Sequence, residues 1–293
     1  MSLGSDKKKI ILITGSQGQL GNEFHKISAS FPQYQFIFSD RKSLDITDEK
    51  AVNNFFSNNK ITVCVNCAAY TAVDKAEQEK ELAEKVNATA VGYLAKSCKQ
   101  QKVQFIHIST DYVFDGKATT PYLPTDQTNP VNFYGSAKLA GEKTATALND
   151  NTIIIRTAWV YSSFGNNFVK TMMRLMKERK NIGVVNDQQG SPTYAGDLAK
   201  AIMNIITQNN FTPGIYHYTN TGIITWYDFA KKIAVLINTK CIVTPITTEQ
   251  FPTPAARPAY SVLNTEKIQS AFHLQIPLWQ NSLRKCIEEI QAQ

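Results

Sequence analysis

The sequence has no apolar run near the ~18 residues that a membrane-spanning helix needs. Its start, Met1 to Lys9, is polar and basic, and no small-residue cleavage site follows, so it does not read as a signal peptide. Met1 to Gly4 is kept out of the fold argument. Cysteine is scarce: Cys64, Cys67, Cys98, Cys241 and Cys286 make five, an odd number. The four histidines, His25, His107, His217 and His273, are far apart, so no zinc-ligand spacing is present. The one C-x-x-C, Cys64 to Cys67, falls inside an apolar strand pattern and lacks the adjoining helix N-terminus that activates a redox dithiol; it reads as core packing. Reduced thiols and no secretion signal point to the cytoplasm. There is no internal repeat, no low-complexity stretch, and no basic stripe with interleaved aromatics. The formal charge of +7 includes Lys7, Lys8 and Lys9 in a lead-in, and the remainder is scattered. Nucleic acid and membranes are therefore not expected as partners, and a small anionic molecule is.

What is present is alternation. Apolar runs at 9–14, 34–39, 61–67, 103–109 and 152–156 read as buried strands. Between them lie helical patterns, one capped by Thr47 with Asp48 and Glu49 in its first turn, another over 80–100, and another starting near Tyr134. Strands at this spacing predict an α/β protein: a Rossmann-type doubly wound parallel sheet with a smaller C-terminal α/β lobe. The expected division is a cofactor-binding domain over 7–156, with segments near 183–208 returning to it, and a lobe over 157–293 that binds substrate.

Directly after the first strand comes Gly15-Ser-Gln-Gly18-Gln-Leu-Gly21. Between a strand and a helix, this spacing suits a dinucleotide: Gly15 for the tight turn, Gly18 for approach to a pyrophosphate, Gly21 for close helix packing. Asp40 lies 25 residues after Gly15 at the end of the second strand, where a carboxylate meets an adenine ribose. Arg41 and Lys42 follow and favour a 2′-phosphate, hence NADPH over NADH. Small residues at the end of the third strand, Ala68 and Ala69, leave room for the cofactor.

Tyr134 and Lys138 are spaced i, i+4 and share one helix face. An ammonium ~4 Å from a tyrosinate contributes about 4 kcal/mol at an effective dielectric of ~20. That is about what lowering a phenol from ~10 to ~7 requires. Lys138, helped by the cationic nicotinamide of the oxidised complex, is therefore expected to make Tyr134 a usable acid–base near neutrality. Thr110, at the end of the fourth strand, offers a hydroxyl that either shares the substrate's carbonyl oxygen or makes a local backbone bond.

Together these residues resemble the extended short-chain dehydrogenase/reductase superfamily. Longer strings resemble, more narrowly, the dTDP-4-dehydrorhamnose reductase family: Val65 to Glu77, Ser109 to Phe114, Tyr134 to Lys143, Arg156 to Tyr161, Gly165 to Phe168, Asn186 to Thr193, Thr225 to Asp228 and Pro252 to Pro258. The resemblance implies reduction of a C4 keto group on a nucleotide-linked deoxysugar, with Tyr134 as proton donor, Lys138 holding the nicotinamide ribose, and Thr110 assisting. It implies dinucleotide contacts from Gly18, Gln19, Leu20, Ala69, Tyr70 and Thr71, with Asp45 and Ile46 near the adenine. It implies substrate contacts from Thr110, Asp111 and Trp159. Arg257 stands in a loop where relatives carry two arginines, and Ala256 replaces the first. Some members pair through Mg2+ held by glutamates. Here Glu23 and Glu289 fall at matching positions, but Gly196 takes the third, which weakens a metal-bridged dimer and leaves monomer or homodimer open. Two other readings share the fold: a sugar-nucleotide dehydratase or epimerase, and a non-catalytic NADP-binding regulatory subunit. A dehydratase of this type needs a carboxylate beside the Thr-Asp pair, where this chain has Tyr112.

Overall fold

The computed structural model describes residues 8–208 and 210–293; Lys7 and the residues before it in the polar lead-in lie outside the described residues. The first half alternates β1 (Lys9–Thr14), α1 (Gln19–Ser28), β2 (Tyr34–Ser39), α2 (Glu49–Asn58), β3 (Val63–Asn66), α3 (Ala90–Gln101), β4 (Gln104–Thr110), α4 (Phe133–Leu148) and β5 (Thr152–Thr157). Then come α5 (Phe168–Glu178), α6 (Ala195–Thr207), β6 (Gly214–His217), α7 (Trp226–Leu236), α8 (Glu266–Phe272) and α9 (Trp279–Gln291).

The six strands form one parallel sheet in the order β6-β5-β4-β3-β1-β2. Successive side chains on a strand face opposite ways, and β1 shows the consequence. Ile11 and Ile13 enter a core with Leu198, Ile202 and Ile205 of α6, whereas Leu12 packs with Val52, Leu94 and Cys98 from α2 and α3. Helices on both faces bury β3 and β5 throughout, which is why they read as continuous apolar runs, whereas the edge strand β2 is mostly half-buried. Cys64 lies in the second of these cores, and all five thiols are free. A third core, built on Tyr161, Met173, Phe229, Leu283 and Ile287, holds the C-terminal lobe.

Three local features depart from the sequence reading. Asp48, not Thr47, caps α2: its carboxylate accepts from Lys50 N and Ala51 N at 2.9 and 3.1 Å. The helical stretch 80–101 is interrupted by a π segment at Lys85–Thr89. The bulged Asn87 carbonyl abuts Gly141 of α4, where a Cβ would sit 2.0 Å away. Third, Gly214–His217 adds a sixth strand against β5. Within the 183–208 stretch, α6 joins the core of the main sheet, whereas Asn181–Val185 pairs in parallel with Ile242–Ile246. Among the described residues no helix is long and apolar enough to cross a membrane.

Candidate active site

The strand order reverses between β2 and β3, which flank β1, and open parallel sheets bind ligands at the carboxyl ends near such a point. A cleft of about 810 Å³ opens there. Of the residues expected at a cofactor, Gly15, Gly18, Gln19, Leu20, Asp40, Arg41, Asp45, Ile46, Ala68, Ala69, Tyr70, Thr71, Tyr134 and Lys138 line it. The glycine loop is built as its spacing requires. Gly15 has φ +61°, and a Cβ there would lie 2.7 Å from the Ala68 backbone. Gly18 caps α1 without a side-chain bond and no acidic residue occupies the first turn, so the helix dipole and free N–H groups are left for an anion. Gly21 does not line the cleft. A Cβ on it would meet Ser16 Cα at 2.5 Å, so its part is to seat α1 on the loop. Gly21→Ala is expected to cost about 1–3 kcal/mol through this overlap. A urea denaturation midpoint unchanged from that of the parent chain would contradict the reading.

At the adenine end, Asp40 is engaged by its own loop. Oδ1 accepts from Lys42 N, Ser43 N and Ser43 Oγ at 3.0, 2.9 and 2.9 Å, and Oδ2 accepts from Gln17 Nε2 at 2.6 Å. The Ser43 bonds hold the carboxyl below its ordinary range. The Arg41 side chain is 82% exposed and reaches Asp45 only at 3.9 Å, leaving its fork open to a phosphate. Asn87, which the sequence reading missed, cross-links the cleft wall. Its Oδ1 accepts from Tyr70 N and its Nδ2 donates to Tyr70 O, both at 2.9 Å. A buried Asn within an apolar helical pattern was the available signal. Ser109 also lines the cleft, and its buried hydroxyl has no protein partner among the described residues.

Helix α4 carries Tyr134 and Lys138. Its N-cap Asn132 accepts from Gly135 N at 2.8 Å, and a Cβ on Gly135 would lie 2.1 Å from Tyr112 O. With this close seating the Tyr134 side chain is buried. Burial, with the nearby Asp111 carboxylate, pushes the phenol above its ordinary value, and the Thr110 bond only partly offsets this. In the free protein Lys138 is not among the groups that pull the phenol down. Lys138 Nζ points beneath the cleft, donating to Ile108 O at 2.6 Å and lying 3.4 Å from His107 Nε2. Burial pushes Lys138 down to about 8, against the opposing pull of Glu142 and Cys67. In the free protein Tyr134 is thus a phenol that keeps its proton, which is the form a proton donor needs.

Thr110, Asp111, Trp159 and Arg257 stand outside the lining of this cleft. Thr110 Oγ1 makes the local bond as well, accepting from Tyr112 N at 3.2 Å and donating to Asp111 Oδ1 at 3.0 Å. Asp111 is buried, which pushes its carboxyl up to about 6. Thr110, Asp111 and Tyr134 therefore form one cluster. Trp159, at φ +49°, stacks on Trp226 with centroids 3.5 Å apart. Arg257 pairs with Asp74 at 2.9 Å and donates to Ala255 O at 3.2 Å. Both Asp74 and Asn132, through Ala255 N and Ala256 O, tie the 252–258 loop to the first half of the chain.

The glutamates that would hold Mg2+ do not fit a cation. Lys26 Nζ sits 2.5 Å from Glu289 and 3.9 Å from Glu23. Tyr194 donates to Glu289 at 2.7 Å, and its ring lies over Gly196, where a Cβ would be 2.6 Å from Cε1. An ammonium and a phenol already supply the donors, and no metal-ligand cluster occurs among the described residues.

Residues 8–292 match the RmlD substrate binding domain family. The dTDP-4-dehydrorhamnose reductase of Aggregatibacter actinomycetemcomitans is 42% identical over 94% of this chain and 97% of its own length. Two solved structures superpose with a TM-score of 0.92. One is a dTDP-4-dehydrorhamnose reductase from Bacillus anthracis in complex with NADP, 39% identical over 97% of this chain and 100% of that one. The other is a dTDP-4-dehydrorhamnose reductase, an RfbD ortholog, from Clostridium acetobutylicum, 44% identical over 96% and 99%. With the glycine loop, the protonated phenol and the buried lysine in one cleft, a match spanning the described chain places it plainly: it belongs to the RmlD substrate binding domain family.

Proposed function

We propose that this protein reduces the C4 keto group of dTDP-4-dehydro-6-deoxy-L-mannose to dTDP-L-rhamnose with NADPH, the last step in forming that nucleotide sugar. The observation that carries this reading is the buried Tyr134 phenol lining, with Lys138, the same cleft as the glycine loop and an uncapped helix N-terminus.

NADPH, when bound, supplies the hydride. The residues fit it. Gly18, Gln19 and Leu20 would receive its pyrophosphate at the start of α1, Asp40 and Arg41 its adenine ribose and 2′-phosphate, and Lys138 its nicotinamide ribose. Thr110 orients the Tyr134 hydroxyl, and Tyr134 gives its proton to the developing C4 alkoxide. Asp111 extends the Thr110 hydroxyl bond toward the sugar. Trp159 and Arg257 belong to the substrate side, with Arg257 exchanging Asp74 for a diphosphate oxygen. The lobe over 157–293 supplies these two groups, and the segment 7–156 supplies the cofactor contacts. The test is stoichiometry: one NADPH oxidised per dTDP-L-rhamnose formed supports the reading, and recycling of a bound nucleotide without net oxidation contradicts it.

A dehydratase or epimerase is disfavoured by Tyr112. Its partly buried phenol is pushed up and lies edge-on to Tyr134 at 5.7 Å, where a carboxylate base would be needed. A purely regulatory NADP-binding role leaves the Thr110–Tyr134 pair without a use. We infer a cytoplasmic enzyme acting as monomer or homodimer, without Mg2+ bridging. Arg41→Ala is expected to raise the KM for NADPH about tenfold, the loss of one charge-assisted bond, and to leave that for NADH nearly unchanged. Equal effects on both cofactors would remove Arg41 from 2′-phosphate recognition.

A further inference from the structure

Behind the cleft, a chain of buried polar groups crosses three strands, and its polarity can be read from one end. Asn66, the last residue of β3, is fully buried. Its Oδ1 accepts from the Thr14 hydroxyl at 2.6 Å and from Ala68 N–H at 3.2 Å. A backbone N–H can only donate, so the amide cannot be turned over. Its Nδ2 then faces His107 Nδ1 at 3.1 Å. An amide nitrogen also only donates, so His107 Nδ1 accepts and carries no proton. His107 is fully buried, and burial together with the Lys138 charge holds the ring neutral. A neutral imidazole has one N–H, which must therefore be on Nε2. That atom lies 3.4 Å from Lys138 Nζ.

The consequence falls on Lys138. An ammonium presents only hydrogens and meets the Nε2–H unfavourably, while an amine offers a lone pair to it. The bond from Nζ to Ile108 O, at 2.6 Å, can be made by either form. The other ionisable groups facing Lys138 are Glu142 on its own helix and Cys67 after β3, and both favour the ammonium. Burial opposes them, and His107 on β4 is the neighbour on the sheet side.

We propose that His107, its tautomer set by Thr14 and Asn66, is a positioning residue that donates Nε2–H to Lys138 and so keeps that side chain poised between ammonium and amine. Lys138 then enters the reaction cycle able to give up or regain a proton near neutral pH, which a fully exposed lysine does not do. The proposal rests on the reductase reading for its role in turnover, but the proton balance of Lys138 belongs to the free protein.

The experiment follows Lys138 directly. In protein labelled at lysine Cε, the Lys138 resonance, assigned by its loss in Lys138→Met, is titrated by NMR in the parent chain and in three variants. In His107→Leu the donor is gone, and the Lys138 midpoint rises by about one unit, a tenfold gain in proton affinity. In His107→Gln an amide N–H near the Nε2 position keeps the midpoint within a few tenths of a unit of the parent's. In Asn66→Ala the imidazole stays but its tautomer is released, and the midpoint rises as in the Leu variant. This third variant also carries the test should His107→Leu fail to fold. The alkaline limb of kcat for NADPH oxidation moves up in step with the midpoint. Midpoints unchanged in both His107→Leu and Asn66→Ala, or a Gln variant shifted as far as Leu, overturn the proposal. Absence of turnover with the nucleotide sugar in the parent chain would instead count against the reductase reading and leaves the titration result standing.

Discussion

Tyr134→Phe lowers kcat for the keto-sugar reduction by about 10²–10⁴, the worth of one positioned general acid. The substitution removes only the hydroxyl. The ring stays buried and keeps its edge-on contact with Tyr112. NADPH affinity is expected to change by less than about twofold, because the proposed cofactor contacts fall chiefly to the glycine loop, Asp40, Arg41 and Lys138. The KM for the sugar changes little for the same reason: the lost interaction matters chiefly in the transition state, where the oxygen gains charge. The Phe variant also needs no new partner for Thr110 Oγ1, which retains Tyr112 N and Asp111. Steady-state kinetics separate the outcomes. A kcat within threefold of the parent's would remove Tyr134 as the proton donor, and a large loss in NADPH affinity would assign it to cofactor binding.

Glu142→Leu is expected to destabilise the fold by about 3–5 kcal/mol, as breaking a buried ion pair does. Glu142 on α4 faces Arg156 on β5 with both side chains 3% exposed. The guanidinium is held bidentately, Nε to Oε1 at 2.9 Å and Nη2 to Oε2 at 2.7 Å. With the carboxylate gone, Arg156 keeps only a 3.4 Å bond to Pro124 O and the face of Phe114 at 5.1 Å. The large effect belongs to the orphaned charge rather than to the worth of the pair, so Glu142→Leu combined with Arg156→Met should recover most of the loss. Urea titrations of the single and double variants check this. A single-variant loss below about 1 kcal/mol, or a double variant no better than the single, would contradict it. Because Glu142 also favours the Lys138 ammonium, the single variant should lower the alkaline limb of activity.

The parts of this molecule that were legible in its sequence are those set by local periodicity. The five apolar runs became β1 to β5 because strands buried on both faces leave an unbroken apolar signature. Gly15, Gly18 and Gly21 sit where a strand-to-helix turn must pass close to other backbone, and the contacts at Ala68 and Ser16 show why side chains are absent there. What was not legible depends on distant partners. Gly214–His217 is four residues long and becomes a strand because β5 offers it a free edge. The i, i+4 spacing placed Tyr134 and Lys138 on one face of α4. It could not show that Nζ reaches the carbonyl of Ile108, nor that burial and Asp111 raise the phenol in the free protein. Arg257 pairs with Asp74, 183 positions away, and Lys26 fills the space between Glu23 and Glu289. Thr47 reads as the cap with Asp48 in the first turn, but the helix begins one residue later and the extended backbone at Asp48 makes that residue the cap.

The account depends on Tyr134 holding its proton in the free protein, since a phenol that had already ionised could not act as the acid. NMR of protein labelled at tyrosine Cζ, with Tyr134→Phe for assignment, measures this directly. The account predicts a Tyr134 signal that remains that of the neutral phenol up to at least the ordinary value of 10.0. A Tyr134 signal that titrates near pH 7 would contradict it.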